Sequence, residues 1–389
     1  MKSTDGCVYC GRGLYRGFDL WNAWWYLTKM NYYNAHYRKV IDSHSSRYPR
    51  LAGYMFMTIF AIASGFPVLA QGTSTLAPPT RIVLGARAVS LVADAVYAFD
   101  SAPSRIAAVA GTDQGLGTFL GLVDSTFSSK PKIDRSAGAE AYAALQPDLV
   151  ILKSALKPTL GKNLEAIKVP TLYVDLETPD DYYRDLTTLG RIFGEDTRAA
   201  ELVSYYRALV ADTEKRVAGQ PKPRTLLVQA GSGTGLWEAP PDAWMQTHLV
   251  GVAGGTPVWA GAVPGSGWTK LGAEQIAAWN PELVIVVSYR ENSAKAAESF
   301  RTDPRFAALE AVRNGRVHAM PQDFYSWDQP DTRWIMGLRR IGAFMHPDRF
   351  ADVNYGAELR TFFHTLYGMD DARFDVSIVP LLKGDHGVR

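Results

Sequence analysis

Five aromatic side chains, Trp237, Trp244, Trp268, Tyr325 and Trp327, fall in segments that follow short apolar runs. Near them in the pattern stand three cations, Lys153, Arg290 and Arg333, and one amide, Gln114. Flat rigid rings offer much apolar surface, and guanidinium groups are forks for carboxylates. Such a set suits a bulky, partly apolar anionic complex better than a bare ion. Several members have a plainer use. Trp244, Trp279 and Trp334 fit helix cores, Arg333 fits a helix surface, and Asp328 and Asp331 fit the N-terminal cap of the last helix. Direct metal ligation has less support, because His248, His318, His346, His364 and His386 include no pair at ligand spacing. A haem held axially by Tyr325 or His248 has no supporting motif.

Two glycine loops carry a competing chemistry. GTDQGLG (111–117) and GSGTG (231–235) could cradle an oxyanion such as molybdate or tungstate on backbone N–H groups. As nucleotide motifs both fail, since Leu120 and Leu236 stand where the third glycine of GxGxxG is required. The chain has no GxxxxGK[ST], GxSxG or HExxH. The expectation is a binding protein with no catalytic residues and no cofactor of its own.

What positions these residues is an internal repeat. GAEAYAALQPDLVIL (138–152) returns as GAEQIAAWNPELVIV (272–286), with nine of fifteen positions identical. In each copy a helix stops before proline and an apolar run follows, the pattern of a strand buried on both faces. RIVLG (81–85), IAAVAG (106–111) and TLYVD (171–175) add strands to the first copy, and RTLLVQAG (224–231), PVW (257–259) and RVHAM (316–320) to the second. Strands alternating with helices predict parallel, right-handed βαβ units. Between the copies, residues 178–219 carry apolar side chains at helical spacing, with Gly194 as a point for a bend or break. The predicted fold is α/β: two similar lobes with mainly parallel sheets joined by one long backbone helix.

Composition sets the frame. The 389 residues suffice for two cores, and a net charge of +2 divides into +5 over residues 1–70 and −3 over the rest. No basic patch invites nucleic acid. LAGYMFMTIFAIASGFPVLAQG (51–72) follows Arg47 and Arg50 and ends in a small-x-small site, so it reads as a secretory signal cleaved near Ala70. Its apolar run is short for a span. Cys7 and Cys10 are the only cysteines and lack the partners of a zinc site. The expected segments are an extension with signal peptide (1–70), an N-terminal α/β lobe (71–177), a connecting helix (178–221), a C-terminal α/β lobe (222–325), and C-terminal helices with a tail (326–389).

Taken together, residues 80–367 resemble the substrate-binding proteins of ABC importers for ferric siderophores, haem and cobalamin, the helical-backbone class. The resemblance rests on xxEx(I/Y)xAxxPDLVI in each lobe, the long connecting helix, and an aromatic loop opening the last helix, FYSWDQPDTRWIMGLRRIGAFMHPDRF (324–350). It implies a periplasmic monomer that captures a metal chelate between its lobes, with Tyr325 and Trp327 at a cleft position typical of the family. It also implies docking on an inner-membrane ABC permease through one glutamate per lobe, seven residues before the proline: Glu140 before Pro147 and Glu274 before Pro281. Each glutamate also lies in a first helical turn, where a carboxylate complements the helix dipole. A receptor that senses the chelate instead of delivering it would use the same parts.

Overall fold

The computed structural model describes residues 78–111, 115, 119–231, 235–263 and 265–388. The signal segment, Cys7, Cys10 and Gln114 lie outside the described residues, as do the centres of both glycine loops. No helix among the described residues is long and apolar enough to cross a membrane.

The first lobe is built on β1 (Ile82–Leu84), β2 (Ile106–Ala110), β3 (Lys132–Ile133), β4 (Leu149–Lys153) and β5 (Thr171–Val174), in the order β3-β2-β1-β4-β5. All of these pairings are parallel. Every residue of β4 is buried, as the apolar run predicts for a strand covered on both faces. The second lobe holds β6 (Arg224–Ala230), β7 (Trp237–Ala239), β8 (Thr256–Pro257), β9 (Thr269–Leu271), β10 (Leu283–Val287) and β11 (Val317–Ala319). Its order is β11-β10-β6-β7-β9, with β8 also beside β6. β6, β8, β10 and β11 repeat the parallel scheme, whereas β7 and β9 extend the sheet antiparallel. These two strands had no signal in the sequence. Each is three residues long, too short for an alternation to declare itself.

The repeat acts as a lock on strand register. In the first lobe the Asp148 carboxylate accepts hydrogen bonds from the backbone N–H of Thr80 (2.7 Å) and Arg81 (2.9 Å), at the entrance of β1. Arg81 in turn donates to the Leu145 carbonyl (2.6 Å) at the end of the preceding helix. In the second lobe Glu282 accepts from the Arg224 N–H (2.9 Å), and Arg224 donates to the Trp279 carbonyl (2.8 Å). Gln146 and Asn280, just before the two prolines, are both left-handed (φ 49° and 38°), which turns the chain from helix into strand. The conservative Asp/Glu exchange thus preserves one device: a carboxylate that ties a strand to the start of its neighbour.

The connecting segment is two helices rather than one rod. Pro179–Phe193 starts on a Thr178 cap, whose hydroxyl accepts from the Asp181 N–H (3.1 Å), and stops at Gly194 with φ 69°. The long backbone helix is Asp196–Val217, about 33 Å at 1.5 Å per residue. The first helix folds back on it: the Tyr182 and Tyr206 rings, equidistant from the break, are 5.1 Å apart. A side chain at Gly190 would collide with Ala199, so the close approach depends on that glycine. The C-terminal helix Trp334–Met345 covers the other side. Trp334 stacks on Tyr206 at 5.2 Å, and Arg339 reaches Asp212 (2.5 Å) on the long helix and Glu358 (2.7 Å) on the helix Tyr355–Tyr367.

Candidate functional site

An aromatic group stands at the strand ends of the second lobe. Trp244 precedes the helix Met245–Val252, Trp268 precedes β9, and Tyr289 follows β10; all three are half-buried. Their rings meet edge to face, Trp244 to Trp268 at 5.9 Å and Trp268 to Tyr289 at 5.8 Å. The Tyr289 hydroxyl donates to Asp328 Oδ2 (2.5 Å) and accepts from Gln246 Nε2 (3.3 Å), which fixes the ring. Burial pushes the Asp328 carboxyl above its ordinary range, and hydrogen bonds from Ser326 and Tyr289 oppose that shift. Burial and the neighbouring Asp328 raise the Tyr289 phenol far out of the physiological range, so it stays a donor.

Beside this group lies a cavity of about 740 Å³, bounded by the ends of β6 and β10, by β7, and by the helix Ser293–Thr302. Trp237 and Arg290 both line it. Trp237 was expected on a loop; it belongs to β7, is 3% exposed, and packs edge-on against Phe300 at 4.9 Å. Arg290 is exposed at the rim.

The other candidates are placed differently. Arg333 is fully buried, with Nε donating to both Asp323 oxygens (2.6 and 2.9 Å) and Nη1 donating to Asp94 of the first lobe. Its guanidinium lies over the rings of Phe119 (4.5 Å), Tyr325 (5.0 Å) and Phe363 (5.5 Å). Burial drives the Asp94 carboxyl up to about 7 against the pull of Arg333, and drives Asp331 well above its usual range. Tyr325 and Trp327 are 3% and 2% exposed, and the Trp327 indole donates to Asp323 (3.2 Å). A Cβ at Gly115 of the first lobe would strike the Tyr325 ring at 2.6 Å. Tyr325, Trp327 and Arg333 therefore form a sealed joint between the lobes instead of a ligand-facing wall. The cause is electrostatic: a guanidinium surrounded by carboxylates is neutralised internally and has no charge left for a cargo.

Lys153 has a similar fate. Its ammonium pairs with Glu177 (2.6 Å) and donates to the Asp175 carbonyl, joining the ends of β4 and β5. Glu140 and Glu274, by contrast, are exposed, each in the first turn of its helix (Ala139–Ala143 and Ala273–Trp279). Neither carboxylate makes an ion pair or a side-chain hydrogen bond among the described residues. Both bend back the same way: Glu140 Oε2 lies 3.0 Å from a Cβ built on Gly138, and Glu274 Oε2 lies 3.3 Å from one built on Gly272. No group of three or more His, Cys, Asp and Glu able to hold a metal occurs among the described residues. His318 stacks on Phe344 at 4.3 Å and faces Asp385 at 3.5 Å. Tyr289 was the residue missed. Its position one residue beyond the buried run ELVIVVS was the available signal.

Residues 129–324 match the model of a family described as periplasmic binding protein. The ferric enterobactin-binding periplasmic protein FepB of Escherichia coli O6:H1 is 29% identical over 206 residues, 49% of this chain and 62% of that one. The chain thus spans less than two thirds of that relative. Among solved structures, an ABC transporter solute binding protein from Sulfurospirillum deleyianum is similar with a TM-score of 0.63 and 21% identity, covering 77% of this chain and 94% of that one. CeuE of Helicobacter pylori, solved as a Ni-His complex, gives 0.61 at 16% identity over 78% and 95%. MolA of Haemophilus influenzae, bound to molybdate, gives 0.59 at 17% identity over 75% and 93%. At these identities the structures establish the fold alone. The sheets, the connecting helix and the matched segment together place this chain in the periplasmic binding protein family.

Proposed function

We propose that this protein is the periplasmic solute-binding component of an ABC import system, exported on the signal at 51–72. In this reading it captures an iron complex, a ferric siderophore or similar metal chelate, between its lobes and delivers it to the membrane permease. The observation that carries the reading is the pair Glu140 and Glu274: exposed, unpaired, and in matching conformations at equivalent positions of two repeated lobes. Two like carboxylates on related lobes form a symmetric two-point contact for arginines of a dimeric permease. The aromatic group Trp244, Trp268 and Tyr289 supports a bulky cargo with flat apolar surface. The similarity to a ferric enterobactin-binding protein points the same way. The protein works as a monomer, without catalysis and without a cofactor of its own.

A thermal-shift screen against ferric siderophores, haemin, cobalamin, molybdate and tungstate tests the cargo. A true ligand at a hundred times its Kd adds about 2.7 kcal/mol to stability. A shift with oxyanions alone would replace the chelate by molybdate or tungstate. Docking is tested by Glu140→Ala with Glu274→Ala, which is expected to leave ligand affinity within about twofold while abolishing most uptake in cells. Weakened binding by the purified double variant would refute the docking role.

A further inference from the structure

The joint between the lobes holds more acid than base. Asp94, Asp323 and Asp331 are at most 1% exposed and act on one fully buried guanidinium, that of Arg333. Three carboxylates against one cation leave two negative charges in excess if all are ionised, and an unbalanced charge is among the costliest things an interior can hold. Hydrogen bonding separates the three acids. Asp323 is built as an anion: its oxygens accept from Arg333 Nε (2.6 and 2.9 Å), the Phe324 N–H (2.5 Å), the Tyr325 N–H (3.3 Å) and Trp327 Nε1 (3.2 Å). Asp94 and Asp331 are half served. Asp94 Oδ2 accepts from Arg333 Nη1 and Asp331 Oδ1 from the Arg333 N–H (2.7 Å), while Asp94 Oδ1 and Asp331 Oδ2 meet no donor. A buried oxygen without donors suits a carboxylic acid better than a carboxylate. The other titratable groups acting on Asp94 are phenols: Tyr325 on the aromatic loop, Tyr182 on Pro179–Phe193, and Tyr367, whose hydroxyl donates to the Asp94 carbonyl (3.3 Å). Burial lifts all three, and Tyr206 of the long helix beside Tyr182, far above physiological pH, so they add no charge. Asp328 of the same loop is turned to Ser326, Tyr289 and Gln246.

We propose that the joint is a proton-operated clamp: it takes up a proton at Asp94 when the lobes come together and loosens when alkali removes that proton. Asp94 is the member supplied by the first lobe, on the helix Val89–Val96, whereas Asp323, Asp331 and Arg333 precede the helix Trp334–Met345. Asp331 remains protonated, because burial, with Asp94 and Asp323 adding to it, holds its carboxyl well above the usual range against the pull of Arg333. Asp94 then decides the balance. In its neutral form, Arg333 and Asp323 make a closed pair, and Asp94 Oδ2 still accepts from Arg333 Nη1. In its ionised form, the joint holds one negative charge that no group in it offsets, and water must enter to solvate it. Burial has carried this carboxyl up to about 7. The stability it contributes is therefore complete below its ordinary value of 3.8 and is lost as pH rises through about 7. The device belongs to the lobes and stands whatever cargo they hold.

The test melts the purified chain at about pH 5.5 and about pH 8.5 beside Asp94→Asn, which keeps the shape of the side chain and cannot titrate. Between these two conditions the parent is expected to lose about 4 °C of Tm more than the variant. Hydrogen exchange over Val89–Val96, corrected for its intrinsic pH dependence, is expected to quicken about tenfold in the alkaline parent and to stay level in the variant. Infrared difference spectra of the parent decide the matter even where Asp94→Asn does not fold: a protonated-carboxyl band present at the lower pH is expected to weaken at the higher. Equal losses of Tm in parent and variant, a band indifferent to pH, or exchange over Val89–Val96 as slow in alkali as in acid would each overturn the clamp. So would a pH dependence that Asp331→Asn abolishes and Asp94→Asn does not. None of these readouts needs a ligand, so failure of the clamp leaves the solute-binding reading untouched.

Discussion

The two lobes use the same lock and end in opposite kinds of chemistry. In both, an acidic residue after proline grips the first strand, an arginine grips the preceding helix, and a left-handed residue joins them. The first lobe then closes on itself: its sheet is wholly parallel and its strand-end cations are paired internally. The second lobe adds antiparallel β7 and β9, and beside them a cavity lined by Glu238, Arg290, Glu291 and Lys295, none of which is ion-paired among the described residues. Duplicated scaffold and unequal loops divide the work. The repeat holds strands in register, and the cavity lies beside what was added to one copy.

The joint between the lobes offers the largest test. Arg333→Met removes the cation from a fully buried site and leaves Asp94 and Asp323 facing each other. It is expected to cost about 3–5 kcal/mol of unfolding free energy, measured by urea denaturation. A loss below about 1 kcal/mol would mean that the lobes do not depend on this ion cluster.

Next come the locks themselves. Asp148 accepts from the Thr80 N–H, the Thr80 hydroxyl and the Arg81 N–H, whereas Glu282 accepts one hydrogen bond, from the Arg224 N–H, and pairs with the half-exposed Arg224 side chain at 3.5 Å, a contact worth little. Asp148→Ala should therefore cost about 1–3 kcal/mol and Glu282→Ala about half as much. Equal losses in the two denaturation curves would erase the proposed asymmetry. The smallest effect belongs to Tyr142, whose hydroxyl accepts from the Ala86 N–H at 2.8 Å; its counterpart Ile276 has no hydroxyl. Tyr142→Phe is expected to cost about 0.5–1.5 kcal/mol and so make the first lobe resemble the second in this detail. An unchanged melting curve would show that the Ala86 N–H finds another acceptor.

Much of this architecture was legible in the residues. The repeated helix–proline–strand pattern revealed two lobes, the unbroken apolar runs marked β4 and β10, and Gly194 marked a break in the connecting segment. The matched glutamates could be paired from their spacing alone. Local patterns are readable because helix and strand periodicity is set by neighbours in the chain. The fate of the aromatic loop was decided elsewhere. Arg333 meets Asp94 across 239 positions of sequence, and that encounter turned a cation expected to face a ligand into the centre of a sealed joint. Likewise β7 has no pattern of its own and exists because β6 and β9 offer it partners. Sequence by itself determined the lobes, their central parallel strands and their matched acids. Tertiary structure alone decided which charges are neutralised inside and which remain free, because neutralisation depends on what long-range packing brings within hydrogen-bonding distance.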